Sequence, residues 1–195
     1  MFFFTPEWEL TLFSWINQDW RNPVFDMFMP LASDATTLWI LSIVLIGVGL
    51  AKRRLTLSVA LGLGLCMGIS DAACNLIKDT TGRVRPHHSI PHTWHQSEGQ
   101  WVQLPADFTP TKLTGSSFPS AHAANAAVAG MVLFAASRRK AVWLIPLVIG
   151  YSRIYLGKHF PTDVIAGWAV GTAVAAILIP IYPALFSRLF SRWIR

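Results

Sequence analysis

Three short strings hold the residues able to do chemistry: Lys78 to Pro86, Pro119 to His122, and Ser152 with Arg153 followed by His159 and Asp163. Lys78, Arg85 and Arg153 can grip an oxyanion. Arginine offers a planar fork of donors that matches phosphate oxygens, and lysine supplies a compact charge. Gly82 lies between Lys78 and Arg85, so the chain can turn there and bring both cations to one point. Arg83 is a weaker candidate for the same work. Pro119, Ser120, Ala121 and His122 read as a helix start, where proline costs nothing and free N–H groups with the helix dipole favour an anion. Ser120 adds a hydroxyl donor and His122 an acidic proton. Pro161 opens a further helix, placing His159 just ahead of it and Asp163 in its first turn. There the carboxylate can accept from one ring nitrogen of His159 and hold the other outward as a nucleophile. Singly, each string has a plainer reading as an interface anchor or an ordinary helix start. Together they point to a phosphate-processing site.

Each string sits beside the end of an apolar segment. Hydrophobic residues are 53% of the 195-residue chain and charged ones 13%, with mean hydropathy +0.44. That balance argues against a soluble globule, and the length suits one domain over 1–195. The expected fold class is all-α, a polytopic transmembrane helical bundle of five to six spans. Five spans are expected at 34–51, 55–77, 118–137, 141–157 and 161–181. In the 1–33 segment, Trp8, Leu12, Trp15 and Ile16 recur at helical spacing against polar Glu7, Glu9 and Gln18. This predicts an N-terminal amphipathic helix in the membrane interface, with a sixth span within 1–31 as the alternative. Met1 to Phe4 lacks a basic leader and makes a poor cleavable signal peptide.

The basic residues gather at segment ends rather than in a stripe, so the net charge of +6 reports topology and not nucleic-acid binding. Lys52, Arg53 and Arg54, then Arg138, Arg139 and Lys140, then Arg188, Arg192 and Arg195 fall on one face of the alternating spans. The positive-inside rule makes that face cytoplasmic, so the loop 79–117 and His159 are extracytoplasmic. Pro86, Pro91, Pro105 and Pro110 keep that loop from forming one helix. Its His87, His88, His92 and His95 raise zinc as an option, but Pro86 and Pro91 break regular ligand spacing and no cysteine joins them. The loop, with Trp94 and Trp101, is expected to cover the site and help choose the headgroup. Asp71, Asn75 and Lys78 share a helix face, where Asp71 either steadies Lys78 or makes a helix–helix hydrogen bond. Cys66 and Cys74 read as buried thiols. Gly47, Gly49, Gly62, Gly64, Gly68, Gly167 and Gly171 read as sites of close helix packing.

The three strings resemble the type 2 phosphatidic acid phosphatase superfamily. Its signature is Lys-x6-Arg-Pro, then Pro-Ser-Gly-His, then Ser-Arg-x5-His-x3-Asp, and the spacings match across about residues 70–170. Ala121 stands where the family usually has glycine, and alanine retains the backbone N–H that binds phosphate there. The resemblance implies that His159 attacks phosphorus to form a phosphohistidine, with Asp163 fixing its ring. His122 protonates the leaving oxygen and then activates water. Lys78, Arg85, Ser120, Arg153 and the Ala121 N–H hold the equatorial oxygens, and no metal cofactor is needed. The implied protein is a bacterial inner-membrane lipid phosphatase working at the outer leaflet on a lipid phosphate monoester or diphosphate. Candidate substrates are undecaprenyl diphosphate, phosphatidylglycerol phosphate, phosphatidic acid and lipid A 1-phosphate. The rivals are a lipid phosphotransferase and a catalytically silent lipid-phosphate binding or transport protein.

Overall fold

The computed structural model describes residues 5–53 and 55–189. Segments 1–4 and 190–195 lie outside the described residues, and with them the question of a signal peptide and the cations Arg54, Arg192 and Arg195. The described chain is mostly helical. It runs through α1 (Glu7–Ser14), a π-helical turn (Trp15–Asp19), α2 (Pro23–Ser33), α3 (Ala35–Ala51), α4 (Leu57–Thr81), α5 (Ala121–Ser137), α6 (Leu144–Tyr155), α7 (Pro161–Leu178) and α8 (Tyr182–Leu189). The long loop adds a small antiparallel hairpin, β1 (Trp94–Ser97) with β2 (Gln100–Gln103).

Local chemistry sets these boundaries. Asp34 caps α3 by accepting from Thr37 N at 2.8 Å, and Thr56 caps α4 by accepting from Val59 N at 3.3 Å. Gly82 ends α4 in the left-handed conformation, φ 61°, which glycine adopts without a Cβ penalty. Pro161 opens α7 at a position where its missing N–H is no loss.

The expected spans correspond to α3 through α7, yet they differ in character. By length and composition α4 and α7 qualify as membrane spans. The α2–α3 pair, bent by 68°, qualifies as one broken span. The α5 helix is apolar but shorter, and α6 follows a 3₁₀ turn at Lys140–Trp143. The reason lies in the packing. The α5 helix is the central one, touching α4, α6 and α7, so its alanines meet protein more than lipid. A Cβ at Gly171 would run into the Ala124 carbonyl, and one at Gly167 into the Ser120 carbonyl, so these two glycines let α7 lie against α5. Gly62 similarly lies under Tyr182, whereas Gly47, Gly64 and Gly68 face open space and serve no close contact. Asp71 accepts from Asn125 Nδ2 at 3.0 Å, a hydrogen bond between α4 and α5.

Helices α4 and α6 end, and α5 and α7 begin, at the same end of the bundle. Lys52, Arg53, Arg138, Arg139 and Lys140 lie at the other end, after α3 and α5. The site end is backed by a core of Phe13, Ile16, Met29, Ala123, Ile154, Tyr155, Phe160 and Val164. Here α1 and the turn after it add a polar group to the buried face. Their inward stripe is Glu9, Phe13 and Ile16, while Trp8 and Trp15 are exposed.

Candidate active site

Four helix ends bring the chemistry together. Lys78 sits in the last turn of α4, Ser120 caps α5 with Ala121 and His122 just inside it, Arg153 is in the last turn of α6, and Asp163 is in the first turn of α7. His159 lies in the link between α6 and α7, and Arg85 follows the Gly82 turn. His122 lies within the fields of Arg153, His159, Arg85 and Lys78. Every residue of the three strings read as catalytic or phosphate-binding is therefore at this end. Ser120 Oγ accepts from Ala123 N at 3.4 Å, while the N–H groups of Ala121 and His122 point out of the helix start with no acceptor among the described residues.

His159 is 2% exposed. Its Nδ1 lies 2.8 Å from the carbonyl oxygen of Ser117, whereas Asp163 Oδ2 is 3.5 Å away, in ion-pair but not hydrogen-bond range. The sequence reading gave the orienting bond to Asp163; in the structure the nearest acceptor is Ser117. A carbonyl only accepts, so Nδ1 must carry the proton in the neutral ring, leaving the lone pair on Nε2. Asp163 acts one step back. Its Oδ2 accepts from Ser117 Oγ at 2.5 Å and from Phe160 N at 2.9 Å, fixing both neighbours of the imidazole. Burial pulls the His159 pKa down to about 4, opposed by the Asp163 carboxylate and reinforced by the charges of Arg153 and Arg85. At neutral pH the ring is uncharged, with its lone pair on Nε2.

Arg83, read from the sequence as a lesser phosphate ligand, faces the other way. It is 2% exposed and donates to Asp163 Oδ1 at 2.6 Å, to Glu9 Oε2 at 2.7 Å and to Thr162 Oγ1 at 2.7 Å. Its guanidinium also lies 4.2 Å from the centre of the Phe160 ring. Glu9 is 0% exposed and accepts from Thr162 N at 2.8 Å, and from the Thr162 hydroxyl. A buried chain, Glu9 to Arg83 to Asp163, therefore ties α1 and the start of α7 to the surroundings of His159. The signal was present: a single carboxylate in the stripe of Phe13 and Ile16 has to find a buried cation.

On the open side the cations gather. Arg153 is nearly buried, donating to the Ser33 hydroxyl at the α2–α3 break, and its Nε has no acceptor. The Nε of Arg85 likewise has no acceptor. Lys78 Nζ is 3.4 Å from Asn75 Oδ1. Lys158, unremarked in the sequence, is half-buried beside them. Burial, then Arg153 and Arg85, lower its pKa; burial lowers that of Arg85 against the pull of Asp163. Such a group of like charges is stabilised by a bound anion.

The loop is pinned rather than draped. Asn17, in the π-helical turn, donates to Trp94 O at 2.9 Å and Tyr155 O at 2.8 Å, and accepts from Trp94 N at 2.8 Å. Trp94 and Trp101 share a partner. They hold Arg21, whose guanidinium lies 4.6 and 4.0 Å from their ring centres. His87 packs tilted against His88 and stacks on His95, at centroid distances of 4.1 and 5.8 Å, and no cluster suited to a metal ion occurs among the described residues.

Comparison with known proteins gives a family match and relatives. The model of the PAP2 superfamily matches residues 59–187. Phosphatidylglycerophosphatase B of Bacillus subtilis is 31% identical over 170 residues, covering 80% of this chain and 72% of that protein. Decaprenylphosphoryl-5-phosphoribose phosphatase of Mycobacterium tuberculosis is 31% identical over 140 residues, covering 72% of this chain and 69% of the relative. The solved structure of LpxE from Aquifex aeolicus superposes with a TM-score of 0.66 at 27% identity, covering 92% of this chain and 99% of that one.

Proposed function

The chain belongs to the PAP2 superfamily as an integral membrane lipid phosphatase, and from that premise we propose that it hydrolyses a lipid phosphate monoester or diphosphate through a phosphohistidine on His159. The observation that carries this reading is the fixed tautomer of a buried, neutral His159 beside Arg85 and Arg153, which have no ion-pair partner among the described residues. Nε2 attacks phosphorus in line. Negative charge growing on the equatorial oxygens meets Lys78, Arg85, Arg153, the Ser120 hydroxyl and the Ala121 N–H, all set in place before reaction. As His159 becomes positively charged, Asp163 Oδ2 at 3.5 Å offsets it. His122 gives a proton to the leaving oxygen, then takes one from the water that releases phosphate. The site lies at a helix-bundle end, so a lipid tail can stay in the bilayer while its headgroup enters.

The test is phosphate release by purified protein from a panel of lipid monophosphates and diphosphates, with and without an acceptor lipid. Release into water supports hydrolysis; transfer to the acceptor alone supports the phosphotransferase, and inertness on every substrate removes the enzyme reading. The same assay in excess chelator is expected to show undiminished turnover, because cations of the chain do the work of a metal. Loss in chelator with recovery on adding zinc would assign a catalytic role to His87, His88 and His95 instead.

The proposed setting is a bacterial inner membrane with the site facing outward. Ser97 is exposed at the tip of the hairpin, and serine to cysteine changes little there. A membrane-impermeant thiol reagent on intact cells is expected to label Ser97→Cys at once and Arg139→Cys only after the membrane is opened. The reverse order would place the site in the cytoplasm. Native Cys66 and Cys74 are buried.

A further inference from the structure

Beside the cradle, the loop forms a cavity of about 430 Å³ whose lining includes Arg85, His88, Lys112, Thr114 and Ser116. Arg85 belongs to both places. His88 lies within the fields of Lys112, Arg85 and Lys158, so three cations bear on it. Neither the Arg85 guanidinium nor the Lys158 ammonium has a hydrogen-bonding side-chain partner among the described residues. A phosphate monoester carries roughly two negative charges near neutral pH, and Lys78, Arg85 and Arg153 already match it. Lys158 and Lys112 are then surplus to a monophosphate. Thr114 and Ser116 bring hydroxyl donors to the same cavity, next to positive charge, which suits phosphate oxygens.

We propose that Arg85, His88 and Lys112, with Lys158 adding its charge, form a second anion subsite, and that the preferred substrate carries a second phosphate group there. This rests on the phosphatase reading above and adds the substrate class. Arg85 bridges the two groups: its fork can meet the phosphate under attack and the second one together. The second phosphate either is joined to the first by an anhydride or lies further along a polar headgroup.

Two substrate pairs separate those sources. One is a prenyl diphosphate against the same prenyl monophosphate; the other is phosphatidylglycerol phosphate against phosphatidic acid. For each pair the ratio of kcat/KM values is measured for the unmodified protein and for Lys112→Ala, His88→Gln and the double variant. This ratio does not depend on the fraction of protein that is folded. The double variant is expected to lower the ratio of at least one pair by about tenfold, the scale of losing a charge-assisted hydrogen bond. A fall confined to the prenyl pair identifies an anhydride-linked second phosphate, and a fall confined to the other pair a distant one. Ratios that stay unchanged in both pairs while the substrates are still turned over overturn the subsite alone. Release from none of the substrates by unmodified protein removes the phosphatase reading and the subsite with it.

Discussion

His159→Ala is expected to lower phosphate release by on the order of 10⁴-fold or more, the scale on which covalent nucleophiles are missed when removed. The basis is geometric. Nδ1 is committed to the Ser117 carbonyl at 2.8 Å, so a neutral ring has one lone pair to offer, on Nε2. His87 Nδ1 is likewise 2.8 Å from the Gly157 carbonyl oxygen, but His159 is the ring that has Asp163 beside it to offset a developing charge. His159→Asn serves as the control for folding, since its amide can still donate toward Ser117; an unchanged unfolding temperature with lost turnover separates chemistry from structure. His122→Ala should still accept a phosphoryl group slowly, giving an acid-labile, base-stable label on the protein. The pH dependence follows from the same burial. Protonation would occupy the attacking lone pair, and the folded-state pKa of about 4 lies below the ordinary value of 6.5. The rate of protein phosphorylation, corrected for ionisation of the substrate, should therefore hold from pH 8 to about 5 and fall as pH nears 4. A fall centred near 6.5, or full turnover in His159→Ala, would sink this account of the nucleophile.

What the sequence could reveal is set by the range of the signals. Lys78, Arg85, Ser120, His122, Arg153, His159 and Asp163 stand at helix ends, where caps, prolines and charges leave marks within a few residues. Their placement at one end followed from the number of crossings between them. The partner of His159 left no mark, because it is a backbone carbonyl 42 residues upstream across a loop. Ser117 itself is an ordinary loop serine until Asp163 is seen to hold its hydroxyl. The sequence marks the exposed tryptophans of α1 and the turn after it, but not the side that meets protein. The stripe Trp8, Leu12, Trp15 and Ile16 is apolar, but the buried face is Glu9, Phe13 and Ile16. The apolar membrane makes exposed tryptophans costless, so hydropathy could not tell lipid-facing from protein-facing sides. The hairpin turns locally, through positive φ at Glu98 and Gly99, but its place in the fold is set by Asn17, far away in the chain, which grips Trp94 at both backbone groups.

Arg83 and Arg85 stand two residues apart, and their replacement by methionine is expected to give opposite results. Arg83 lies between two carboxylates that are fully buried, Glu9 and Asp163, at 2.7 and 2.6 Å. Removing it strands two buried negative charges, a loss of about 3–5 kcal/mol, which is a large part of the ~5–15 kcal/mol that holds a typical domain folded. Arg83→Met should thus unfold at markedly lower temperature or denaturant concentration and lose activity with it. Adding Glu9→Gln should restore part of the stability, since one stranded charge is then gone while the amide can still accept from Thr162 N. Arg85 has the reverse environment. No carboxylate lies in ion-pair range of it among the described residues; burial lowers its pKa against the more distant pull of Asp163, and Arg153 and Lys158 feel its positive charge. Arg85→Met removes a half-buried cation from a repelling group, so stability should hold or rise while turnover falls by about 10²–10³-fold, as for one electrostatic contact to a transition state. Thermal unfolding and kcat measured side by side on the two variants decide the matter. Equal stability loss in both would mean that Arg83 is not the clamp behind the nucleophile, and unaltered turnover in Arg85→Met would remove it from the phosphate cradle.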